Sequence, residues 1–149
     1  MISPDEFMQQ ATRLIAAPAS PSEVDFRTAL SRAYYSLYHQ ALTSIRNRHK
    51  PELVSAIETQ LQRRRKFFAD LPRVRRLDWT YLVDTLHVSF HQILFEVLCG
   101  LDYPKGQEFG AHRDERNIAD YELEKNLNPQ DCQTNIDDMR TLINSLNTI

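Results

Sequence analysis

The stretch SRAYYSLYHQA, Ser31 to Ala41, places an arginine, three tyrosines and a histidine within eight residues. An arginine steadies charge on a phosphate oxygen, an imidazole takes and returns a proton near neutral pH, and phenols donate hydrogen bonds. On a helical wheel of about 100° per residue, Arg32, Tyr35 and His39 share one side, because steps of three, four and seven return to nearly the same face. Phe26, Leu30, Ala33, Leu37 and Ala41 share the other and form a core stripe, flanked by Tyr34 and Tyr38, which are expected to be half-buried. Leu42 lies beside the polar cluster, so this second face mixes guanidinium, imidazole, phenol and aliphatic groups, as an interface or a pocket rim does. A solvated outer face with one chance histidine is the plainer account of the same residue types.

Three other clusters carry chemistry-bearing side chains. In RRRKFFADLPRVRR, Arg63, Arg64, Arg65, Lys66, Arg73, Arg75 and Arg76 stand against the single Asp70, a local +6 that leaves −8 for the rest of a chain of net charge −2. With Phe67 and Phe68 among them, these cations are candidate contacts for phosphates and unpaired bases. Charge runs are also ordinary solvated faces, and cations near a helix C-terminus are favoured by its dipole. His87 and His91, in HVSFH, have the i, i+4 spacing of a zinc pair on a helix. They lack a third ligand in any recognisable pattern, so no metal is expected. Late in the chain, RNIADYEL offers Arg116, Asn117, Asp120 and Tyr121, of which Arg116 and Asp120 are spaced as a plain surface salt bridge.

The elements that must position these residues read as helices throughout. Apolar residues recur at three and four, with no alternating β-branched run bounded by turns. SPDE and SPSE, around Pro4 and Pro21, are capping-box signatures, and Pro51 and Pro129 also sit where helices could begin. The pattern predicts helices near 4–16, 21–49, 51–68, 78–99, 112–126 and 130–147, the second and fourth being longest. The fold class is therefore all-α, an up-and-down bundle of four to five main helices. Its 149 residues fit a single domain spanning 1–149.

All three glycines fall in GLDYPKGQEFG, which reads as a loop but matches no phosphate-cradling pattern, so no nucleotide cofactor is expected. His49 and His112 stand near predicted helix ends and carry no further signal. Cys99 and Cys132 give no disulfide framework, no run of about 18 apolar residues exists to span a bilayer, and the N-terminus lacks a secretory pattern. A reducing cytoplasm and no membrane partner are the expectation.

RTALSRAYYSLYHQAL, followed about eighty residues later by RNIADYEL, resembles the HEPN superfamily of small prokaryotic helical proteins, over most of the chain from about Ser22 to Leu146. The resemblance implies a bundle of four or five helices that pairs as a homodimer. It also implies metal-independent endoribonuclease activity of toxin type, with a nucleotidyltransferase antitoxin as partner and RNA as substrate. The family signature is an arginine followed after four to six residues by a histidine, which maps Arg116 onto the arginine and Asn117 onto the polar residue after it. The histidine's place is taken by Tyr121. A phenol keeps its proton at neutral pH and is a poor base. His39 is the substitute: with Arg32 it forms Arg-x6-His, on a different helix, where it could shuttle the 2′-hydroxyl proton while Arg32 or Arg116 steadies the phosphate. The catalytic candidates are thus Arg116, Asn117, Tyr121, His39 and Arg32. The alternative is a non-catalytic protein-interaction or nucleotide-binding module, whose arginines and tyrosines hold a partner.

Overall fold

Serine side chains start the first two helices. Ser3 caps α1 (Pro4–Ile15): its Oγ accepts from Glu6 N at 3.3 Å, and Glu6 Oε2 accepts from Ser3 N at 2.6 Å. Ser22 and Asp25 make the same reciprocal pair at the start of α2 (Glu23–Arg48). The second helix therefore opens two residues later than SPSE suggests, with Ser22 and not Ser20 as its cap. The computed structural model describes residues 3–16, 20–64 and 75–149. Beyond α2 come α3 (Lys50–Arg63), a π-helical turn (Tyr81–Thr85), α4 (Phe90–Leu101), α5 (Tyr103–Tyr121), α6 (Pro129–Ser145) and a closing 3₁₀ turn (Leu146–Thr148). The fold is an all-α bundle, with no strand among the described residues.

The longest helix, α2, is the axis. α1, α5 and α6 pack along it, α3 and α4 touch it more lightly, and α4 lies between α3 and α5. The predicted stripe is present: Leu30, Ala33, Leu37 and Ala41 are buried, and Phe26 packs against the core from its edge. Tyr34 and Tyr38, expected half-buried, are fully inside at 0% and 8% exposure, because α4 and α5 close over the flank on which they stand. A fully buried large side chain contributes on the order of 2 kcal/mol, so these rings belong to the core as much as the leucines do.

The predicted fourth helix, 78–99, is broken. Leu77 and His87 adopt left-handed φ of 53° and 52°, and regular α-helix resumes only at Phe90. The break lets Leu82, Leu86, Val88 and Phe90 all reach the core, which one straight helix face could not do. Its freed backbone groups are met from α3. Gln60 Oε1 accepts from Ser89 N at 3.0 Å, and the Arg64 guanidinium donates to the carbonyls of Leu86, at 3.3 Å, and His87. Partners of this kind are what backbone groups freed by a chain break require.

The glycine window is not a loop. Asp102 caps α5 by accepting from Lys105 N at 3.3 Å, Pro104 occupies the first turn, and the helix runs through Gly106 and Gly110 to Tyr121. The predicted helix 112–126 thus begins nine residues earlier, and α5, at 19 residues, is the second longest. A Cβ on Gly106 would lie 2.4 Å from Cys99 N and one on Gly110 2.8 Å from the Phe95 ring. Hydrogen in place of a side chain allows α4 and α5 to touch backbone to ring.

At its far end α5 is clasped by Arg27, which is only 8% exposed. Its guanidinium donates to the carbonyls of Ala119 (3.0 Å), Ile118 and Glu122 (both 3.3 Å), Leu123 (3.4 Å) and Lys125, and pairs with Glu23 at 2.7 Å. The last carbonyls of a helix have no partner within it, and one planar fork of donors from α2 supplies them.

Candidate functional site

Arg116 sits one turn before the end of α5 and points back over α2. Its Nη2 donates to the Tyr35 hydroxyl at 2.8 Å and its Nη1 to Asn117 Oδ1 at 3.1 Å. Asp120 Oδ2 approaches Nε at 2.8 Å, but outside hydrogen-bond geometry, so this is a contact of charges. Asp120 also accepts from Ser31 Oγ at 3.3 Å. The Tyr35, Tyr121 and Tyr34 rings surround the guanidinium at 5.2, 5.6 and 6.0 Å. Of the predicted residues, Arg116, Asn117 and Tyr121 are together. Tyr121 is 70% exposed and lies at the outer rim.

His39 stands one turn along α2 from Tyr35, the two rings 6.4 Å apart. Phe7 of α1 stacks on it at 5.6 Å, 9° from parallel, and burial under this cover pushes the imidazole below its ordinary pKa. The ring is therefore neutral at pH 7, with a lone pair able to take a proton. Arg32 parts from this group. Exposed, it extends over Phe7 at 5.9 Å, into a groove between α1 and α2, so Phe7 stands between the two members of the Arg-x6-His pair.

Two further side chains join the cluster, of which the sequence marked His91 only as half of a candidate zinc pair and Arg113 not at all. The His91 ring of α4 is stacked on Tyr38 at 4.3 Å, with Nδ1 2.8 Å from the Tyr34 hydroxyl. Burial, helped by the charges of Arg113 and Arg116 and by His39, pushes His91 down to about 4. Burial raises the Tyr34 phenol well above its usual range and takes Tyr38 up to about 12. The Tyr34 phenol thus keeps its proton and shares a hydrogen bond with Nδ1 of the neutral imidazole. Arg113 is held by Gln92 Oε1 at 3.0 Å. One signal was readable: Arg113, Arg116 and Asp120 recur at three and four residues. The place of His91 beside Tyr34 and Tyr38 carried none, because its partners depend on where α4 begins.

His87 and His91 do not share a helix, since His87 lies in the extended break before α4, exposed. Among the described residues no group of three His, Cys, Asp or Glu side chains is placed to hold a metal. His49 joins α2 to α3 and bonds the Ile149 carbonyl at 3.0 Å. His112, placed by the sequence near a helix end, is in mid-α5 and buried. Its Nδ1 donates to Glu115 at 3.0 Å while Nε2 has no hydrogen-bond partner. Of the basic run, Arg65, Lys66 and Arg73 lie outside the described residues. Arg63 pairs with Glu96 at 3.1 Å, Arg75 with Glu58 at 3.7 Å, Arg64 is spent on backbone carbonyls, and Arg76 is exposed.

The site is thus a cluster of two guanidiniums and two neutral imidazoles, framed by tyrosines, with Asp120 as the carboxylate paired to Arg116. Such a cluster attracts an anion and can accept a proton beside it. No helix among the described residues is long and apolar enough to cross a membrane. No family model matches the chain, and no match was found among curated proteins or solved structures.

Proposed function

We propose that the chain is a HEPN-like protein that binds RNA, with a backbone phosphate seated at Arg116, and that it cleaves the strand through His39 instead of Tyr121. The observation that carries this reading is the Arg116–Tyr35–His39 series, a guanidinium bonded at 2.8 Å to a phenol whose ring neighbours a neutral imidazole. In the reaction, His39 takes the 2′-hydroxyl proton and the freed oxygen attacks the adjacent phosphorus. The 5′-oxygen then leaves with a proton returned from the imidazolium, and Arg116 offsets the charge on the phosphoryl oxygens.

A second reading, a binding module without chemistry, is favoured by the intramolecular partners of Arg116: Tyr35, Asn117 and Asp120. Pairing as a homodimer is part of the proposal. It is supported by Val24, Tyr121 and Leu123, which lie around the Arg27 clasp and are each more than two-thirds exposed. A nucleotidyltransferase partner rests on the resemblance alone.

The test is to incubate purified protein with single-stranded RNA and follow both binding and chain length. Cleavage lost in His39→Ala while binding survives supports the enzyme. Binding without cleavage by the parent leaves the module. No binding by the parent ends both.

A further inference from the structure

A second concentration of positive charge lies in the groove between α1 and α2. Gln10, Arg13 and Leu14 form one wall, and Thr28 and Arg32 the other. Steps of three and four bring each set onto one helix face, so the two guanidiniums look across the same channel. No carboxylate lines it, and neither arginine takes part in an ion pair among the described residues. On its other side Arg13 borders a groove containing Asp5 and Arg140, but Arg140 is already held by Asp137 at 3.0 Å and Thr12 at 2.8 Å.

A run of contacts links this groove to the Arg116 cluster. Arg32 lies over Phe7 at 5.9 Å, Phe7 is 5.9 Å from the Tyr35 ring, and the Tyr35 hydroxyl bonds Arg116 at 2.8 Å. Cation, aromatic ring and cation follow one another along this run of contacts. That alternation matches a single-stranded nucleic acid, in which phosphates alternate with unpaired bases. We infer that Arg13 and Arg32 form a second phosphate subsite, which holds the backbone of a single-stranded RNA neighbouring the phosphate on Arg116, with the partly exposed Phe7 as the apolar surface between them. This rests on the reading of Arg116 as an RNA-phosphate site. It gives α1 a part in binding and assigns Arg32 to substrate positioning.

The experiment titrates a short, unstructured, end-labelled RNA by fluorescence anisotropy across a salt series. Each phosphate contact on a single strand contributes ~0.7 to the slope of log affinity against log salt. Arg13→Gln/Arg32→Gln is expected to lower the slope by ~0.7 and to weaken binding roughly ten-fold. Arg13→Lys/Arg32→Lys keeps the charge and most of the slope. Thr28→Glu, which sets a carboxylate four residues before Arg32 and pairs with its guanidinium, weakens binding as well. Arg46→Gln, one guanidinium removed ~21 Å further along α2, is expected to leave the slope unchanged. The inference is overturned if the double Gln variant keeps the parent's slope, if Arg46→Gln lowers it equally, or if Thr28→Glu binds like the parent. Loss of binding in Arg116→Ala alone removes the groove and leaves the proposed function standing. A parent that binds no RNA removes both.

Discussion

The Tyr34 hydroxyl and His91 Nδ1 lie 2.8 Å apart, and the same imidazole is stacked on Tyr38 at 4.3 Å, so a titratable ring is built into the wall between core and site. Its folded pKa is about 4 against an ordinary 6.5. Above the ordinary value both folded and unfolded chains leave it neutral. Below that value the unfolded chain binds a proton that the folded one refuses, so stability falls with pH until the folded pKa is reached, then levels. After allowance for solvent screening, the expected loss between neutral pH and the folded pKa is about 1–2 kcal/mol. Urea unfolding of the parent and of His91→Gln on either side of this window measures it. A variant with the parent's pH dependence would show that His91 is not its source.

Phe7 covers His39, and burial is what lowers that imidazole. Phe7→Ala should therefore move the His39 titration back up toward its ordinary value, as seen in the ring-proton shifts by NMR. An unmoved titration would place the burying surface elsewhere.

The two glycines at positions 100 and 106 should respond in opposite directions. A methyl on Gly106 meets Cys99 backbone atoms at 2.4 and 2.6 Å and forces α4 from α5, at a cost of about 3 kcal/mol or more. A methyl on Gly100 meets nothing within 4 Å and lies inside α4, so Gly100→Ala should gain up to about 1 kcal/mol. Thermal unfolding of both variants decides the matter.

Removing the clasp takes the guanidinium donors from the end of α5, where the Ile118 and Glu122 carbonyls keep only the backbone donors Glu122 N and Lys125 N. Arg27→Ala should cost about 3 kcal/mol, since several carbonyls lose these donors at once. Arg27→Lys should recover only part, because an ammonium cannot reproduce the planar fork. Equal stability of the lysine variant and the parent in urea would show that charge alone suffices.

Tyr35→Phe keeps the ring and removes the hydroxyl that orients Arg116. One such hydrogen bond contributes about 1 kcal/mol, so RNA binding should weaken roughly five-fold while unfolding is little changed. Oligonucleotide titration beside a urea curve separates the two effects.

Helix starts set by local chemistry were legible at α1, α3 and α6, but not at α5, whose Asp102 cap and Pro104 were read as part of a loop. Ser3 with Glu6, Pro51 in the first turn of α3 and Asn128 before Pro129 all work within one turn of chain. The break before α4 was not, because Gln60 and Arg64 stabilise it from another helix. The glycines misled for a related reason: Gly106 and Gly110 are dictated by Cys99 and Phe95, side chains that only the folded bundle brings near. For the site, the period of α2 correctly gathered Tyr35 and His39. It could not reveal that α1 inserts Phe7 between His39 and Arg32, nor that His91 arrives from α4.

Because α2 is enclosed by its neighbours, Tyr34 and Tyr38 serve two masters, filling the interior with their rings and tuning the imidazoles beside them. The packing of the core and the geometry of the arginine–imidazole cluster are thus one object in this chain. Whatever loosens the bundle disperses the arginine–imidazole cluster in the same step.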